Sequence, residues 1–402
     1  MKLSEHHLQF TAPSRDIDAR LEALRSRMRE ADIAVTWIEH QVDRLYFTGS
    51  AQDGVLIVPA NGSPVFRVRK SVERARAESP VAVEPYPGRK AMAADLARLA
   101  GKGGRVGLAF DVAPATTYAW LMETIDGVTV IDVAMIIRTL RAKKSPWEID
   151  QIRRAAQQVA MLFSEVGSHI RPDLSELDLT GVIEGSLRAL GHGGTLRVRR
   201  PGADLAIATV VSGTSARYPT AFNGPVGAEG PQHATASGAG WKKLVAGETV
   251  MLDLVTTHNG YHADTTRTFF LGESIPDEVR RAHDFCREIL REIESRLQPG
   301  ASCSEIYLEV AEIAKKKGEP EGFMGYGENR VRFFGHGVGL ELDELPVLAE
   351  KIDMSLEPGM ILAIEPKAFL DPHGPVGIEN TYVITEPGHR NLCDFDDDVR
   401  PV

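Results

Sequence analysis

The chain has 402 residues, 43% hydrophobic and 25% charged, a composition that excludes a disordered protein and calls for more than one core. Its 46 basic and 56 acidic residues leave a net charge of -10, which excludes the basic surface that nonspecific nucleic-acid binding needs. No apolar run approaches the roughly eighteen residues of a membrane helix, and the leader MKLSEHHLQF has no signal-peptide core. Cys286, Cys303 and Cys393 are too scattered for a disulfide framework or a metal-ligand spacing, so a reduced, cytoplasmic protein is expected.

In chain order, Ile17, Leu21, Leu24 and Met28 recur at helical spacing and predict an amphipathic helix over 17–31. Short apolar strands follow over 34–38 and 54–58, then a charged helix over 67–78. Strands over 81–85, 105–109 and 128–132 alternate with helices over 91–99 and 113–124. Such alternation implies an α/β layer, taken here as a first domain over 1–143 that carries no chemistry of its own. At 144–402 a second domain begins. Ser145-Pro146-Trp147-Glu148 offers its first helix start, with Ser145 as N-cap, proline in the first turn and Glu148 completing a capping box.

A helix over 177–190 and strand-like stretches over 196–199 and 205–211 lead into a loop over 212–238, rich in Gly, Pro, Ser and Ala. Loops of this length in a compact domain are usually binding loops, and this one is expected to wall a pocket. It contains Tyr218 and His233, candidates for touching a substrate. Two β-rich arms, 249–255 and 265–271, then flank Asn259-Gly260, a strong signal for a hairpin. Each arm contributes one carboxylate, Asp253 and Asp264, and pairing would bring them together on one face. Two buried acids so close resist ionising unless a cation lies between them. His258 and His262, near the turn, are expected to face solvent. Helices over 276–297 and 303–317 come next and are expected to shield the outside of a sheet.

The last hundred residues hold candidates for the remaining ligands. His336 lies in FFGHGVGL among glycines, Glu365 ends the apolar run GMILAIEP, and Glu379 sits in VGIENTYVIT. Four carboxylates and one imidazole form a hard donor set, suited to two ions of Mn, Co, Fe or Zn.

The order Asp253, Asp264, His336, Glu365, Glu379, inside D-x10-D-x-T-R-T, G-H-G-x-G-L, I-E-P and G-I-E, resembles the pita-bread metallopeptidases. These include methionine aminopeptidase, Xaa-Pro aminopeptidase and prolidase, with creatinase as a metal-free relative. RLYFTG (44–49) and RAKKSPWEI (141–149) extend the resemblance over nearly the whole chain, to the aminopeptidase P and creatinase branch. The resemblance implies a creatinase-like α/β N-terminal domain and an α+β pita-bread catalytic domain. It also implies five metal ligands, with Glu365 shuttling a proton between a bridging water and the leaving group, and a homodimer.

Three positions depart from the family pattern. Where the peptidases have a second histidine before Glu, GLELDELP has Asp343, which cannot donate to an oxyanion unless protonated. Where they have a histidine about seventeen residues before the first metal Asp, this chain has Thr235 and Ala236, with His233 nearby as a substitute. The arginine that usually precedes Ile-Glu in the final strand is replaced by Gly377, which removes a local positive charge.

The leading expectation is therefore a metal-dependent hydrolase resembling Xaa-Pro aminopeptidase or prolidase, acting on a peptide. The alternative keeps the metals and takes a small molecule, as in the dimethylsulfoniopropionate lyase, ectoine hydrolase and creatinase branches, with Asp343 as base. A non-enzymatic binding module, the third possibility, is disfavoured by the five retained ligand positions. Nucleic acid and membranes are not expected as partners.

Overall fold

The computed structural model describes residues 4–200, 205–327 and 330–402. It divides into two compact units, one of Met1–Arg141 with Arg199–Pro201, the other of Ala142–Val198 with Gly202–Val402.

The first unit is built on a six-stranded mixed sheet: β1 (Val35–Ile38), β2 (Gly54–Pro59), β3 (Val65–Val68), β4 (Ala82–Pro85), β5 (Arg105–Leu108) and β6 (Thr129–Asp132), in the order β4-β3-β2-β1-β5-β6. Val35, Trp37, Val55, Ile57, Val106 and Leu108 meet Met92, Leu96 and Leu121 of the helices Arg89–Ala100 and Ala115–Thr124 in one apolar core. The helix Ser14–Glu30 buries Ile17, Leu21, Leu24 and Met28, the stripe read from the sequence.

The expected helix over 67–78 is corrected. Residues 65–68 form β3, paired antiparallel with β2, and the helix begins only at Val72. Phe66 and Val68 are buried while Val65 and Arg67 are half-buried, a period-two pattern that the charges around it obscured. The 44–49 stretch is the end of the helix Gln41–Thr48, closed by Gly49 in the left-handed conformation at φ 74°. No strand forms over 196–199. Arg199 instead belongs with the first unit, where its guanidinium grips Asp43 and Asp111.

The second unit begins with the helix Pro146–Val166. Ser145 accepts from the Glu148 amide, and the Glu148 carboxylate accepts from the Ser145 amide, so the capping box is complete. This helix lies along a hairpin of β8 (Thr249–His258) and β9 (Tyr261–Phe270), which with β7 (Ala208–Ser212) and β18 (Arg400–Pro401) makes a four-stranded sheet. Asn259 and Gly260 both have positive φ, 51° and 81°, the requirement of a two-residue hairpin turn. The arms are longer than the sequence suggested.

A second sheet contains β11 (Phe333–Gly337), β12 (Glu344–Ala349), β13 (Ile361–Ile364), β16 (Asn380–Ile384) and β17 (His389–Asn391) in the order β12-β11-β13-β16-β17. A third joins β10 (Gly322–Phe323), β14 (Lys367–Leu370) and β15 (Gly374–Gly377). The helices Asp277–Glu294 and Cys303–Lys316 cover this half with Val279, Cys286, Ile289, Ile293, Ile306 and Val310. All three cysteines are buried and free. Paired backbone bonds between Thr266 and Glu379 tie the hairpin to the second sheet.

Candidate metal centre

In the β8–β9 ladder Asp253 faces Thr266 and Asp264 faces Val255, so the two acids are diagonal neighbours on one face of the hairpin. His336 lies within β11, paired to β12 on one side and β13 on the other. Its glycine neighbours have a steric reason. A Cβ at Gly335 would strike the carbonyl of Ala363, and one at Gly337 that of Leu345. Glu365 follows β13 directly, and Glu379 precedes β16 at the bridge to Thr266.

These elements bring all five predicted side chains to one place. His336 Nε2 lies 3.6 Å from Glu365 Oε1 and 4.0 Å from Asp264 Oδ2. Its Nδ1 is 3.2 Å from the carbonyls of Gly337 and Leu342, so a proton held on Nδ1 leaves the Nε2 lone pair toward the carboxylates. Burial disfavours a charged imidazole here, but Asp343, Glu365 and Glu379 outweigh it and hold its pKa above the usual value.

The sequence reading missed the residue at the centre. Lys367 is 1% exposed, and its Nζ lies 2.9 Å from Asp253 Oδ2 and 2.8 Å from both Glu365 Oε2 and Glu379 Oε2. Burial opposes its charge, yet the carboxylates of Asp253, Glu365 and Glu379 prevail and hold the ammonium protonated. The signal was present in IEPK: two residues on from Glu365, an extended chain returns to the same face. Lys367 pairs with Gly377 across the β14–β15 ladder. A Cβ at 377 would lie 2.6 Å from Lys367 Cα and 2.9 Å from its Cγ. Glycine where the resemblance expects arginine thus gives the lysine room, and the positive charge missing from 377 comes from across the ladder.

The acids remain under-neutralised. Burial, then Glu379 and Asp253, push Asp264 well above the carboxylate range, and burial with Glu365 and Asp253 pushes Glu379 up to about 7 despite Lys367. Asp264 Oδ1 and Glu379 Oε1 are buried without a hydrogen-bond partner among the described residues. Asp264, His336 and Glu379 each offer a ligand atom, all within 4.8 Å of one another. One divalent ion with ligand bonds of about 2.1 Å fits this group. The expectation of two ions meets an obstacle: an ammonium already occupies the space among Asp253, Glu365 and Glu379.

The expectation for His262 is corrected. His262 does not face solvent. The turn comprises only Asn259 and Gly260, so His262 falls within β9 and is fully buried. It donates from Nδ1 to the Gly339 carbonyl at 2.8 Å and accepts the Arg197 amide at Nε2, and burial lowers its pKa to about 4. Asp343, expected as a base, is half exposed and lies 3.5 Å from His336 Nδ1, the ring edge away from the carboxylates. His233 lies in an exposed turn closed by a Thr235-to-Gln232 backbone bond, and Tyr218 is 50% exposed. Neither lines the cavity of about 70 Å³ beside the acids. That cavity is bounded by Thr220, Phe222, Ser237, Asp253, Asp264 and Leu342 among others, so the loop does wall the site, through other residues.

Residues 150–386 match the model of metallopeptidase family M24, and residues 20–143 match that of the creatinase/prolidase N-terminal domain. The chain is 25% identical to the Xaa-Pro dipeptidase of Pyrococcus furiosus over 375 residues, covering 93% of this chain and 97% of that protein. It is 28% identical to the probable dipeptidase PepE of Mycobacterium tuberculosis over 280 residues, 69% of this chain but 65% of that protein. The crystal structure of dipeptidase PepE from Mycobacterium ulcerans superposes with a TM-score of 0.78 at 23% identity, covering 98% of this chain and all (100%) of that one. The fold is thus a creatinase N-terminal α/β domain followed by a pita-bread catalytic domain.

Proposed function

Because the chain belongs to metallopeptidase family M24, we propose that it hydrolyses the amide bond of a short peptide of the Xaa-Pro class at the cluster around Lys367. The observation that carries this is the convergence of Asp253, Asp264, His336, Glu365 and Glu379, read individually from the sequence, beside one small cavity. The cavity is bounded by both Asp253 and Asp264, so a short substrate seated there would lie against the carboxylates.

Asp264, His336 and Glu379 would hold a divalent ion, which supplies Lewis acidity toward a carbonyl when bound. The chain's own residues do the rest. Glu365 accepts a proton from the attacking water and returns it to the leaving nitrogen, a task that its position beside both His336 and Lys367 supports. Lys367 donates to the Glu365, Asp253 and Glu379 carboxylates and holds the three together. Phe222 and Leu342 give the cavity apolar walls. Asp343 orients His336.

The test is a turnover screen of Leu-Pro and Ala-Pro, longer Xaa-Pro peptides, and betaine- or ectoine-like compounds, with and without added Mn²⁺. Hydrolysis of the dipeptides, lost by 100-fold or more in Glu365→Gln (roughly the low end for a general acid–base group), is expected. The small cavity also suits a compact nitrogen compound. Turnover of such a compound with none of the peptides would replace the peptidase reading.

A further inference from the structure

We infer that the centre is a hybrid: the Lys367 ammonium is a permanent, covalently tethered cation, and the cluster binds one divalent ion rather than two. The inference deepens the proposed function, since it rests on reading this cluster as the reaction centre.

Three independent observations carry it. The first is occupancy. Nζ makes three contacts of 2.8–2.9 Å, one to each of Asp253, Glu365 and Glu379, matching the three donors of an ammonium. An ion at ligand-bond distance from the same oxygens would stand too close to Nζ, and the two positive charges would repel. The second is the pair of oxygens left over. Asp264 Oδ1 and Glu379 Oε1 are buried and unpartnered, and the Nε2 of His336 faces the same space. Unpartnered buried carboxylate oxygens are costly, and a cation relieves that cost.

The third is the balance of groups. Four carboxylates, Asp253, Asp264, Glu365 and Glu379, gather around a single ammonium, which reaches only three of them, so acidic groups outnumber cationic ones and one further cation has a place among them. The sheet is also shaped for the lysine, because at Gly377 the opposing strand carries no side chain against its Cγ.

Lys367 therefore does electrostatically what a second ion would do, with a fixed geometry and a single charge. It offers no open coordination position, so a substrate carbonyl can be polarised only on the Asp264–His336–Glu379 side.

The experiment is a titration of the full-length, chelator-stripped protein with Mn²⁺, read by calorimetry for stoichiometry and by electron paramagnetic resonance for spin coupling. The wild type is expected to take up one equivalent and to give the spectrum of an isolated ion. Lys367→Met should take up a second equivalent and give a coupled pair. His336→Ala, which leaves Lys367 in place, should lose the first equivalent or weaken it by at least 10-fold. Two equivalents in the wild type would overturn the inference, as would none, or one equivalent unaffected by His336→Ala. These readouts do not depend on turnover. One bound ion without peptide hydrolysis overturns the proposed substrate and leaves the hybrid centre standing. Hydrolysis with two bound ions does the reverse.

Discussion

Asp43 in the first unit and Glu379 in the second are both buried carboxylates, and they differ in company. Asp43 lies between two guanidiniums, with Arg141 Nη1 at 2.8 Å and Arg199 Nη1 and Nη2 at 3.0 and 3.2 Å. Burial would raise its pKa, but His40, Arg141 and Arg199 hold it well below the usual carboxylate range. Glu379 shares one ammonium with Asp253 and Glu365, and its pKa rises. Where opposite charges balance, a buried acid ties chain segments together. Where acids outnumber cations, buried carboxylate oxygens are left without a partner, and on the reading proposed above this asymmetry separates a structural cluster from a reactive one.

Removing one charge from each cluster tests that distinction. Asp43→Asn and Lys367→Met are each expected to cost about 3–5 kcal/mol in metal-free buffer, as when one partner of a buried ion pair is lost. Urea denaturation measures both. Millimolar Mn²⁺ should restore Lys367→Met and leave Asp43→Asn unchanged. Equal rescue of both, or of neither, breaks the comparison.

A buried base follows the same logic with the sign reversed. His283, on the helix Asp277–Glu294, has an Nε2 without a partner among the described residues, and burial with Arg287 and Arg267 nearby lowers its pKa to about 3. The unfolded chain takes up a proton below about pH 6.5 while the folded chain does not. Stability from this group is therefore full above pH 6.5 and falls as pH drops toward its folded pKa. The loss is about 3 kcal/mol by pH ~4. Denaturation midpoints across that window should show this slope in the wild type, and His283→Gln should flatten it.

Gly377→Ala places a methyl group 2.6 Å from Lys367 Cα and 2.7 Å from the Pro366 carbonyl, so the two strands must separate. About 2 kcal/mol should be lost, as for other overpacked sites, together with the ordered position of the lysine. A melting temperature equal to wild type would mean that the ladder is looser than described. The smallest effect is expected at the start of the second unit's first helix. Ser145→Ala removes the acceptor for the Glu148 amide and should cost about 1 kcal/mol, measured by thermal melting.

The sequence made some of this legible for identifiable reasons. The hairpin has β-branched arms and an Asn-Gly turn, so Asp253 and Asp264 fell on one face by simple alternation. The capping box at Ser145 is local and needed no tertiary information. His336, Glu365 and Glu379 came from the order of short motifs, since no periodicity connects residues so far apart.

Other features depended on partners distant in sequence. β3 looked like part of a charged helix until β2 gave Phe66 and Val68 a sheet to join. His262 looked exposed because its acceptor, Gly339, lies 77 residues away. Lys367 drew no expectation from the sequence. Its alternation with Glu365 was visible, but the three acids surrounding its Nζ come from three separate places in the chain.

The tether of Lys367 has a consequence for how the molecule meets its surroundings. An ion held only by coordination departs when its free concentration falls, whereas an ammonium fixed to the backbone by four methylenes cannot be diluted away. Chelation or scarcity should therefore silence this centre without scattering Asp253, Glu365 and Glu379. The resting form would wait, already shaped, for a single ion to return.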